Sequence, residues 1–175
     1  MEGLRIKTLG NIQIHLNSAA IKFSRQKSLA LLIYLAVTGE LKSREALATM
    51  FWPENSQARA FANLRQAIWE IKSTLGENWV EVNRHSLKLT PNERIWLDIS
   101  EFYNLTNLAQ SHSHPHGTIC DQCLNNYELA AELFDGEFLT GFSLRDSPEF
   151  DDWQYFQANE VNRKMGSVYK QLVDG

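Results

Sequence analysis

The 175-residue sequence predicts an α+β N-terminal half followed by an all-α half, and three observations carry that reading. Short segments of alternating apolar and polar residues flank three helical stripes between residues 4 and 89. Beyond residue 97 the apolar spacing is that of helices. The charge reverses at the same place: residues 1–96 hold 13 Lys and Arg against 8 Asp and Glu, whereas residues 97–175 hold 4 against 13. A basic half suits a polyanion and an acidic half suits protein partners, so the chain is divided at 1–96 and 97–175.

Residues 4–9 and 12–16 alternate on either side of Gly10-Asn11 and read as a hairpin, with a third short strand at 21–23. Ser24 precedes a helix at 25–38, where Leu29, Leu32, Ile33 and Ala36 form the buried stripe and Gly39 closes the C-terminus. Ser43 is the N-cap of a short helix at 44–51, without a capping box because Ala46 stands where Glu or Gln would be needed. Trp52-Pro53 stops it.

Residues 56–76, SQARAFANLRQAIWEIKSTLG, read as one long helix with two unlike faces. At about 100° per residue, Ala60, Phe61, Leu64, Ala67, Ile68, Ile71 and Leu75 gather on the core side. The opposite side collects Arg59, Ala62, Asn63, Gln66, Trp69, Glu70 and Ser73. Arg, Asn and Gln pair bidentately with base edges in the major groove, which makes this a candidate recognition helix. Two further strands, 79–82 and 86–89, are joined by Asn83, Arg84 and His85, a polar and basic tip. A hairpin, three helices and a trailing basic hairpin are the layout of a winged helix.

In the second half, Asp98 reads as the N-cap of a helix at 99–109, with Glu101 completing a capping-box-like arrangement. Further helices are expected at 124–134 and 148–172, and Gly136 and Gly141 bracket the apolar pair Phe138-Leu139. Successive helices of this kind suit a tetratricopeptide-like array, whose concave surfaces bind proteins. Such arrays usually need at least three repeats, so residues 97–175 are expected to be an incomplete domain. The acidic cluster Asp146, Glu149, Asp151 and Asp152 lies where negative charge favours a helix dipole.

RQKSLALLIYLAVTG, SREALATMFWPE and ARAFANLRQAIWEIKSTLG together resemble the OmpR-type winged helix of SARP-type bacterial transcriptional regulators. WLDISEF, YELAAELFDGEFLTGF and EFDDWQYFQANEVNRKM resemble the bacterial transcriptional activator domain that follows it in that family. The resemblance implies sequence-specific binding of double-stranded promoter DNA, often by protomers arranged as homo-oligomers on direct repeats, and contact with RNA polymerase. By position it implies Arg59, Asn63 and Gln66 as groove-reading residues and Arg65 as a flanking phosphate contact. Arg84 and His85 would be wing contacts, and Lys27 with Arg25, and Ser43 with Arg44, would hold phosphates at two helix starts. Trp69 is expected to pack against the wing. The segment 52–56 resembles one that touches polymerase, and reads equally well as a helix stop with Trp52 buried.

The segment HSHPHGTICDQC sets His112, His114 and His116 before Cys120 and Cys123. Two thiolates with two imidazoles make the tetrahedral set that a structural zinc takes, although the spacing is irregular. A polar loop and a redox-switchable thiol pair are the other readings. Phosphate-loop, nucleophile-elbow and dinucleotide motifs are missing from the sequence, so an enzyme is not expected. The longest apolar run, 29–37, is short and interrupted by Tyr34, which points to a cytoplasmic protein with no membrane partner. The alternative to a DNA-binding activator is a protein-interaction scaffold or a metal- or thiol-sensing adaptor without intrinsic DNA binding.

Overall fold

The computed structural model describes residues 3–90, 94–111 and 119–174. The elements in chain order are β1 (Leu4–Lys7), β2 (Gln13–Leu16), β3 (Ala19–Ile21), α1 (Gln26–Thr38), β4 (Lys42–Ser43), α2 (Arg44–Phe51) and α3 (Gln57–Leu75). A short 3-10 turn (Glu77–Trp79) leads into β5 (Val80–Val82), β6 (Ser86–Leu89) and β7 (Ile95–Leu97). The remainder is helical: α4 (Asp98–Gln110), α5 (Asp121–Glu132) and α6 (Pro148–Asp174). Sheets therefore lie in the N-terminal region and helices follow, consistent with a winged helix and a helical region.

Four strands form one sheet in the order β3-β2-β1-β7. β1 and β2 pair antiparallel with Lys7 opposite Gln13, around the turn at Gly10-Asn11. β3 begins two residues earlier than the expected 21–23. The reason is local: Asn17 and Ser18 both take positive φ, 50° and 71°, and close a tight two-residue turn that returns the chain at once. β7 runs parallel to β1, with Leu4 opposite Ile95, and no strand was expected there. The second sheet, β4-β6-β5, joins the expected wing hairpin to the residues just before α2.

The two halves share one core. Leu139 N–H donates to Thr8 O at 2.8 Å, Gly10 N–H to Glu137 O at 3.0 Å, and Thr140 N–H to Gly10 O at 3.0 Å, so residues 137–140 extend the chain segment that follows β1. The approach needs glycine on both sides: a Cβ on Gly136, whose φ is 149°, would lie 3.2 Å from Gly10 Cα. Asp98 is the centre of this junction. It is buried and accepts from Thr8 N–H (2.7 Å), Thr8 Oγ1 (2.7 Å) and Leu9 N–H (2.8 Å) as well as Ile99 N–H (2.8 Å).

That replaces the capping box expected at 98–101. Leu97 occupies the N-cap position, no side chain caps the helix, and Asp98 is the first residue of α4. The carboxylate turns back to the sheet because two strand-end amides and a buried hydroxyl would otherwise lack acceptors. An aromatic cluster also joins the halves: Phe51 lies 5.4 Å from Phe150, Phe150 5.3 Å from Trp153, and Trp153 4.9 Å from Tyr34. Ser147 Oγ donates to Phe51 O at 2.9 Å beside it.

Candidate nucleic-acid interface

α3 forms as the sequence spacing demands. Ser56 is its N-cap, its Oγ accepting from Arg59 N–H at 3.5 Å, and Ala60, Leu64, Ala67, Ile68, Ile71 and Leu75 are buried. Arg59, Arg65, Gln66 and Trp69 are exposed, and Asn63 is half-buried. Trp69 is 68% exposed rather than packed on the wing. Three residues beyond Gln66 on α3, it lies on the same outer side of the helix.

Glu70, which the helical wheel put on the outer face, is 6% exposed and caps α1 instead. Its Oε1 accepts from Ser24 N–H (2.7 Å) and Ser24 Oγ (2.6 Å), and its Oε2 from Ser28 Oγ (2.6 Å). Burial alone would raise its pKa, but these bonds, with the Ser24 and Arg25 amides, outweigh it and hold the carboxyl below its ordinary range. The helix begins at Gln26, one residue later than the sequence predicts, and its N-cap Arg25 has no side-chain cap of its own. Glu70 supplies the missing acceptor from another helix.

The other expected phosphate contacts divide into free and engaged groups. The Arg25 guanidinium is half exposed and lies 3.7 Å from Glu70 Oε2. Lys27 is drawn away from an external phosphate: its side chain is 17% exposed, donates to Phe51 O, and pairs with Asp146 Oδ2 at 2.8 Å. Ser43 caps α2 by accepting from Ala46 N–H at 3.4 Å. Arg44 braces the wing, its backbone N–H donating to His85 O at 2.8 Å and its guanidinium to Asn83 O at 3.2 Å. Arg84 and His85 are exposed at the wing tip. Asn83 Oδ1 shapes that tip by accepting from the His85 and Ser86 amides, both at 2.8 Å.

Trp52 is buried at the end of α2, as the helix-stop reading requires. Beside it a polar cleft of about 690 Å³ opens between α1, α3 and the segment 141–146 of the helical half. Arg25, Asn63, Gln66, Arg145 and the Lys27–Asp146 pair line it. Arg145 is not legible in the sequence, because it lies outside the helices and has no periodicity to mark it.

His112, His114 and His116 lie outside the described residues. Cys120 is the N-cap of α5 and Cys123 lies buried in its first turn. The Cys123 amide beside its sulfur lowers the Cys120 thiol, whereas burial first, and then Cys120, raise the Cys123 thiol. Among the described residues, no group of three or more His, Cys, Asp or Glu is placed to hold a metal ion. No helix among them is long and apolar enough to cross a membrane.

Two sheets and three helices, the third with one exposed face, and a basic hairpin tip, followed by packed helices, are consistent with a winged helix joined to a helical region. No family model matches the sequence, and no curated protein matches it. Among solved structures, the fold is similar to that of EmbR from Mycobacterium tuberculosis, determined in complex with a low-affinity phosphopeptide. The match has a TM-score of 0.73 at 14% identity and covers 99% of this chain and 46% of the EmbR chain. The present chain thus spans less than half the length of that neighbour.

Proposed function

We propose that the chain is a sequence-specific DNA-binding transcriptional regulator of the SARP type, in which α3 reads the major groove and the wing tip contacts the backbone or minor groove. The observation that carries this reading is the outer stripe of α3: Arg59, Arg65, Gln66 and Trp69 stand exposed together, with Asn63 beside them and Arg84 and His85 exposed at the wing tip. Guanidinium and amide groups on one exposed helix face provide direct base readout, and the neighbouring cations provide phosphate attraction. The shared fold with EmbR, a SARP-family regulator, supports the same reading. The helical half, a tetratricopeptide-like activator domain, contacts RNA polymerase or partner proteins. Protomers assemble on DNA repeats, and the protein works in the cytoplasm.

The test is selection from a pool of random duplexes, followed by fluorescence anisotropy on the selected site from low to moderate salt. Arg59→Ala or Gln66→Ala should weaken the selected site by about 1–3 kcal/mol and relax preference at particular bases. Arg84→Ala should weaken all duplexes about equally. A folded chain that binds no duplex at low salt overturns the proposal in favour of the scaffold.

A further inference from the structure

We propose that Arg145, a residue of the helical half, is a DNA-phosphate contact flanking α3, so that both halves of the chain hold the duplex. This rests on the reading of α3 as the groove-reading helix. Arg145 shares one cleft with Asn63 and Gln66 and is exposed. No ion pair engages it among the described residues.

Its backbone is fixed on both sides. Leu144 is buried, and its N–H donates to Asp151 Oδ1 at 3.1 Å. Asp146 pairs with Lys27 at 2.8 Å, and the buried Ser147 donates through Oγ to Phe51 O at 2.9 Å. Lys27 belongs to α1, whose first turn is tied to α3 through Glu70. A continuous set of polar contacts therefore sets the position of Arg145 relative to the recognition helix. An arginine presented by a fixed backbone loses little freedom on meeting a phosphate, and its fork matches phosphate oxygens.

Charge distribution points the same way. Of the four basic residues in the acidic half, Arg163, Lys164 and Lys170 lie on α6, and Arg145 alone lines the cleft. The carboxylate of the next residue, Asp146, is paired with Lys27, and that of Asp151 accepts from Leu144 N–H. Arg25, 3.7 Å from Glu70 Oε2, and Arg145 both face solvent, which suits a polyanion passing across the cleft better than a small anion within it.

The experiment compares the wild-type chain with Arg145→Ala and Arg145→Lys on the selected duplex and on an unrelated one, titrating salt. Arg145→Ala should weaken both duplexes by the same factor and reduce the slope of log K against log salt by about 1, with base preference unchanged. Arg145→Lys should retain the slope. Because the side chain is exposed, the thermal midpoint of all three should coincide. A wild-type slope and affinity in Arg145→Ala overturns the inference while leaving the α3 reading standing. Failure of the wild-type chain to bind any duplex overturns both.

Discussion

Two buried carboxylates fix the geometry that the basic residues use. Asp98 satisfies the amides of Thr8 and Leu9 and the Thr8 hydroxyl at once, and no water-facing group shares that duty in the described contacts. Each buried donor left unsatisfied costs about 1–3 kcal/mol, so Asp98→Ala should lose at least about 3 kcal/mol in chemical denaturation, and Asp98→Asn less. Glu70 makes stability depend on pH. Its folded-state pKa is depressed, so its contribution is fully present above the ordinary carboxylate range and is lost as pH falls through the depressed folded value. Glu70→Gln should flatten that part of the stability profile, read as denaturation midpoint against pH. Both residues were visible in the sequence, but their roles were not. An Asp before an apolar helix fits a local cap equally well, and only Thr8, 90 residues away, distinguishes the two. For Glu70 the wheel gave an angle, and the first turn of α1 covers that angle.

At the level of elements, α1, α2, α3 and the wing were legible because each carries a full period of apolar residues and a recognisable start or stop. β4 and β7 were not, since two- and three-residue strands show too little alternation and find their partners far along the chain. The candidate site was legible in the same uneven way. Arg59, Gln66, Arg84 and His85 could be placed from helix and hairpin periodicity, whereas Lys27 was misplaced because its partner Asp146 lies 119 residues on. β4 makes the wing and α2 a connected unit: β6 pairs with Lys42 and Ser43, and Arg44 holds the wing tip. α3 carries one residue whose exposure separates binding from folding. Trp69→Ala should leave stability within about 0.5 kcal/mol of wild type, while lowering affinity for the selected duplex if α3 lies in the groove. Thermal melts and anisotropy on the same samples check both halves of that expectation.

For the whole molecule, the aromatic cluster of Tyr34, Phe51, Phe150 and Trp153 means that the basic and acidic halves are not independently packed. Phe150 is fully buried between them. Phe150→Ala should lose about 3–5 kcal/mol, and tryptophan fluorescence and far-ultraviolet circular dichroism should still report one shared transition. The parallel pairing of β1 with β7 has a consequence for how the protein is made. As the chain leaves the ribosome, β1 has only its hairpin partner until residues 95–97 emerge, and Thr8 has no carboxylate until Asp98 does. A nascent or clipped chain ending before that point presents an open sheet edge, a surface that invites pairing with other chains. The region proposed to read DNA is therefore not a cassette that can be cut out at its last wing strand and grafted elsewhere. Its sheet is completed only by β7, the strand that runs directly into α4.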